Sequence, residues 1–131
     1  MNASKDCLPR NKHDFIRVYQ LKSIKRSGLI HLLPGLMEWI KDMNWPIAKE
    51  VAELLLTFPN ELVPLLKTVL ATNDDVWKYW CLECLVKKLP VELQMQLKDE
   101  LVRLAKEPKE GEKLEELDET AMEILRMIEM R

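Results

Sequence analysis

The chain has 131 residues, 47% of them apolar and 32% charged, with a formal net charge of −2. That is the size and make-up of one globular domain able to bury its own core, and it excludes a disordered chain. Lys and Arg are scattered, so no basic stripe offers itself to nucleic-acid phosphates, and no run of about 18 apolar residues is available to span a bilayer.

Leu, Glu and Lys dominate and only three glycines occur, a composition that favours helix over strand. Residues 1–12 carry no periodic pattern and are expected to be extended or poorly ordered. The N-terminus lacks the apolar stretch of a signal peptide. From there, apolar residues recur at helical spacing between the prolines Pro34, Pro46, Pro59, Pro64, Pro90 and Pro108. The pattern predicts seven helices: 13–26, 32–42, 45–58, 60–71, 74–88, 90–106 and 115–130. Their joints are short enough to make successive helices antiparallel neighbours.

At an offset of 30 to 31 residues the chain resembles itself. Leu33-Pro34 falls on Val63-Pro64, Leu36 on Leu66 and Ile40 on Leu70. Ala48, Val51, Leu54, Leu55 and Phe58 fall on Tyr79, Leu82, Leu85, Val86 and Leu89, and Phe58-Pro59 on Leu89-Pro90. A partial third copy begins at Pro90, with Leu97 and Leu101 in the places of Leu66 and Leu70. A helix pair of this kind buries its apolar stripe only by stacking on the next pair, so the expectation is an all-α, short HEAT-like α-solenoid in a single domain. Residues 32–106 form the repeat core. The ends of such a stack need polar outer faces. Helix 13–26, with Phe15, Ile16, Val18 and Tyr19, would cap one end, and helix 115–130, with Leu114, Leu117, Ala121, Ile124, Leu125 and Ile128, the other.

Glu38-Trp39-Ile40-Lys41-Asp42-Met43-Asn44-Trp45-Pro46-Ile47-Ala48, Asn73-Asp74-Asp75-Val76-Trp77-Lys78-Tyr79-Trp80 and Lys88-Leu89-Pro90 together resemble the bacterial family known as domain of unknown function 5071. The resemblance runs from about residue 8 to the end. It implies a HEAT-like helical-repeat domain of a bacterial cytoplasm, and it brings no activity, ligand or catalytic residue with it.

On the side of helix 45–58 away from its apolar stripe lie Lys49, Glu50, Glu53 and Thr57, an ordinary solvated face. Its copy has Trp80, Cys81, Cys84 and Lys88 there, with Trp77 in the place of Pro46. A helix apolar all round is buried all round, so either a terminal helix lies across Trp77 and Trp80 or these rings face outward as an interaction surface. Trp is the residue type that anchors interfaces, which nominates Trp45, Trp77 and Trp80 as binding anchors. Asp42, Asn44, Asp74 and Asp75 precede the second helix of each repeat, where they suit helix capping and could also form a polar rim for a basic partner.

Cys81 and Cys84 form a Cys-x-x-Cys mid-helix, where neither thiol gains from a helix N-terminus, so packing is the expected role. A zinc site would need two more ligands, and Cys7, His13 and His31 stand at no recognisable spacing. Neither a nucleophile turn nor a phosphate-holding glycine loop is present, and no cofactor is expected. The reading that follows is a cytoplasmic, non-catalytic protein-binding or scaffold module, monomeric or weakly dimeric, whose partner is another protein. Two alternatives are an immunity or antitoxin-like protein that neutralises a toxin, and a small-ligand binder or hydrolase built on converging carboxylates.

Overall fold

Asp14 opens the first α-helix, α1 (Phe15–Lys22), by accepting the Arg17 backbone N–H at 3.3 Å, satisfying a donor that the helix itself leaves unpaired. The computed structural model describes residues 4–130, and its regular structure is helical, with no strand among the described residues. After α1 come α2 (Arg26–Leu29), α3 (Leu33–Met37), α4 (Ala48–Leu55), α5 (Pro59–Leu70), α6 (Asp75–Cys84), α7 (Val91–Met95), α8 (Lys98–Lys106), α9 (Glu110–Leu114) and α10 (Leu117–Glu129). None is long and apolar enough to cross a membrane.

Several expected helices are real but interrupted. Helix 13–26 breaks after Lys22, where the Ser23 hydroxyl donates back to the Gln20 carbonyl at 2.8 Å and competes with the next helical turn. Helix 32–42 tightens after Met37 into a 3₁₀ turn, Glu38–Ile40. Helix 45–58 starts only at Ala48, because a turn closed by the Ala48 N–H on the Trp45 carbonyl carries Trp45 and Pro46. Helix 90–106 divides into α7 and α8 around Leu97, which is fully buried.

Two helices were not expected: α2 lies almost wholly in the supposed joint between helices 13–26 and 32–42, and α9 is the second. α9 occupies the supposed joint between Lys106 and Glu115, and its only large apolar residue, Leu114, is 77% exposed. The chain then turns at Glu116, whose φ of 57° is the left-handed region that lets α10 set off in a new direction. Leu114 is thereby parted from the stripe of Leu117, Ala121 and Ile124, all fully buried.

One continuous core runs from Val18 and Leu21 through to Ile124. Positions paired by the internal offset share their burial: Leu36 with Leu66, Val51 with Leu82, Leu55 with Val86 and Phe58 with Leu89 are all inside. Tyr79, paired with buried Ala48, is the half-exposed exception. α3 packs on α4 and α5, α5 on α6 and α7, and α10 closes over α6, α7 and α8, while α1 rests on α4.

Part of the stretch expected to be extended is ordered; Met1, Asn2 and Ala3 lie outside the described residues. Lys5–Cys7 make a 3₁₀ turn capped by Ser4, Pro9 is buried, and the Lys12 carbonyl accepts the Ile47 N–H at 3.2 Å. Leu8 lies close over Gly35, where a Cβ would stand 2.8 Å from its Cδ1 and would require the Leu8 side chain to shift.

Candidate functional site

The loop after the Glu38–Ile40 turn carries three of the seven nominated residues, Asp42, Asn44 and Trp45. Asp42 shapes this loop rather than facing a ligand: its Oδ1 accepts the Asn44 N–H at 2.8 Å and its carbonyl accepts the Trp45 N–H at 3.1 Å. The loop thus returns Trp45 towards Trp39, and the two half-buried rings meet edge to face with centroids 5.4 Å apart and planes at 71°, the arrangement aromatic quadrupoles favour. Together with Glu38 and Lys41 they line a shallow hollow of about 250 Å³.

Trp77 stands beside this hollow. Its Nε1–H donates to the Met37 carbonyl, at the end of α3, at 3.0 Å. The Lys41 ammonium lies 4.6 Å from the centre of its ring and 3.6 Å from the Glu38 carboxylate. On its other side Trp77 borders a small apolar hollow of about 90 Å³ with Pro34, Met37, Leu65 and Val69. It is therefore partly covered, by residues of α3 and of α5, the helix before its own. A Trp77→Phe variant keeps an aromatic ring but loses part of the indole's packing and one hydrogen bond, so it should cost at least about 1 kcal/mol and lower the melting temperature by at least about 3 °C, read by circular dichroism.

The remaining nominees lie apart. Trp80 is half-buried, meets Tyr79 edge-on at 5.0 Å, and lines neither hollow. Asp74 caps α6 by accepting the Trp77 N–H at 3.1 Å. Asp75 pairs with Lys78 at 2.9 Å. Cys81, placed by the repeat overlay on the outer side of α6, is fully buried. The reason is that α10 packs over α6, leaving less of that helix outside than its copy in the preceding repeat. Burial pushes the Cys81 and Cys84 thiols up from their ordinary pKa, which keeps them protonated and weakly nucleophilic.

Sequence reasoning missed two groups. Trp39 lies on the first helix of its pair, whereas outward faces were compared only on the second. Its separation of six residues from Trp45 across a proline-ended turn was the available signal. The second group is ionic. Lys78, 1% exposed, donates to Glu112 at 2.8 Å; Glu112, fully buried, receives Arg103 through both oxygens at 3.0 and 2.6 Å and the Lys109 N–H at 2.8 Å. Burial alone would raise the Glu112 pKa. The bonds from Arg103, Lys78 and the Lys109 backbone outweigh it and hold the carboxyl at about 2. Such a group accepts hydrogen bonds at neutral pH and has no proton to give. The Asp75 carboxylate lies against Gly111, where a Cβ would require that side chain to shift.

Among the described residues no three His, Cys, Asp or Glu side chains converge as metal ligands. Compared with known proteins, the chain matches over residues 7–125 a family model described as "Domain of unknown function (DUF5071)". No curated protein matches it significantly.

Proposed function

We propose that this chain, which belongs to the DUF5071 family, is a short HEAT-like helical-repeat module of the cytoplasm that binds another protein, and that the Trp39–Trp45 hollow takes a basic side chain of that partner. The stacked-repeat part of the reading draws on α3 and α5 packing on one another, each with its own following helix, α4 or α6, and on α5 leading on to α7. Repeats that touch only their neighbours have this contact pattern.

The observation that carries the binding reading is the Trp39–Trp45 pair itself. Two half-buried indoles at 5.4 Å present π faces that attract a cation, and the Glu38 carboxylate at the rim, which the cation would share with Lys41, adds to that attraction. The resident cation, Lys41, is engaged with Trp77 and Glu38. An incoming Arg or Lys would bring a guanidinium or ammonium to the indoles and its aliphatic stem to their edges.

Short peptides carrying a central Arg, Lys, norleucine or Glu, titrated against the intrinsic tryptophan fluorescence, test this. The Arg and Lys peptides should bind more tightly than the others. Trp45→Ala and Trp39→Ala should each weaken binding by at least about tenfold, corresponding to roughly 1.4 kcal/mol, while the chain stays folded. Equal binding of all four peptides, or variants that bind like the parent, would overturn the assignment.

A further inference from the structure

Lys and Arg occur throughout the chain, but the balance of charge differs between its two ends. Residues 4–26 hold seven Lys and Arg against two Asp, and residues 107–130 hold nine Asp and Glu against three Lys and Arg, within a net charge of only −2. The basic stretch builds α1 and its flanks, packed on α4; the acidic stretch builds α9 and α10, packed on α6, α7 and α8.

Internal pairing consumes only part of either set. Arg10 is taken by Asp14, Lys22 by Glu50 and Arg26 by Glu61, but Lys12, Arg17 and Lys25 enter no ion pair among the described residues. At the acidic end Glu112 and Glu123 are paired, whereas Glu116, Asp118 and Glu119 enter no ion pair among the described residues.

Each end also shows apolar surface where a terminal repeat should be polar. On α1 the core side is Val18 and Leu21, and the opposite side presents Ile16, 69% exposed, and Tyr19, 55% exposed, beside half-buried Phe15. Between α8 and α10 a hollow of about 220 Å³ is lined by Ala105 and the partly exposed Met122, with Asp118, Glu119, Glu123 and Arg126 around it. An adaptable methionine floor inside a rim of three carboxylates and one guanidinium, with Asp118 and Glu119 left for an incoming cation, suits an apolar side chain delivered by a basic surface.

We propose that the α1 face of one copy docks on the α8–α10 hollow of a second copy, Ile16 and Tyr19 entering the hollow while Lys12 and Arg17 meet Asp118 and Glu119. The two surfaces differ and every copy carries one of each, so the contact is heterologous and leaves a free head and a free tail after each addition. The assembly therefore grows with concentration instead of stopping at a pair. It shares no residue with the Trp39–Trp45 hollow, and the two assignments stand or fall separately.

Sedimentation velocity of the full chain over rising concentration tests it. The parent should form dimers and longer species, with association weakened roughly tenfold between about 50 mM and about 500 mM salt as the charges are screened. Ile16→Glu and Met122→Glu alter exposed side chains and should leave the melting temperature unchanged. Each alone should be monomeric, and an equimolar mixture should give a one-to-one dimer and nothing larger, because one variant keeps its tail and the other its head.

A parent that remains monomeric at every concentration overturns the proposal, including the case in which α1 binds anionic vesicles or duplex DNA instead. So does a Met122→Glu variant that still dimerises while Ile16→Glu does not, which would mean that two α1 faces pair with each other.

Discussion

Glu112→Ala should lower folding free energy by about 3–5 kcal/mol, the range for breaking a buried ion pair by deleting one partner. The deletion strands the Lys78 ammonium, 1% exposed, with only Asp75 at 2.9 Å to neutralise it. Arg103 fares better, since its side chain is 36% exposed and can turn to water. A Lys78→Met change in the Glu112→Ala background removes the stranded charge and supplies apolar volume, so the double variant should be more stable than Glu112→Ala alone. Urea denaturation of the two single variants, the double and the parent closes the cycle and isolates the coupling between the two residues. A double variant as unstable as the sum of the two singles would mean that Lys78 and Glu112 are energetically independent despite their 2.8 Å contact.

The same carboxylate gives the protein an acid limb of instability. The Glu112 pKa is about 2 in the folded chain against 4.5 as the ordinary value, so the unfolded chain takes up the proton first as pH falls. The stabilisation is complete above about pH 4.5 and is lost progressively between there and pH 2. It amounts to about 3 kcal/mol if each pKa unit contributes about 1.4. Glu112→Gln should flatten that part of the stability profile while leaving other carboxylates to titrate as before.

How much of this was legible in the sequence depends on how local the signal was. The burial of Phe58 and Leu89 could be read, because each precedes a proline at the end of an apolar stripe and the two corners fall on one another in the internal alignment. Lys78 could not. A lysine in the first turns of an amphipathic helix reads as solvated, and the residue that holds it inside is 34 positions away on α9, a five-residue helix too short and too polar to show periodicity. The candidate site divides along the same line. Trp45 and Trp77 were found from the repeat, whereas the role of Trp39 depends on the Asp42 loop bringing Trp45 back across it, a turn geometry that residue spacing alone does not dictate. Asp74 and Asp75 were visible as cap residues, and the structure gives them capping and pairing roles.

The two corners differ in one respect that leads to the last expectation. Phe58 is 1% exposed, and the Arg26 guanidinium lies 4.2 Å from the centre of its ring, donating to the Thr57 carbonyl and pairing with Glu61 at 3.3 Å. Phe58→Ala therefore opens a cavity at the α4–α5 joint and also removes the surface that the guanidinium covers, for a loss of about 3–5 kcal/mol. Leu89→Ala at the equivalent corner should cost about 2–3 kcal/mol, since Leu89 is 5% exposed and no cation is placed over it. Phe58→Leu separates the contributions, because it refills most of the cavity and abolishes only the cation–π contact, and it should recover most of the loss seen with alanine. If denaturant midpoints place Phe58→Leu nearer to alanine than to the parent, the corner depends on the aromatic ring and its guanidinium lid. The link from α2 to the α4–α5 joint would then outweigh simple volume in holding the first part of the chain to the second.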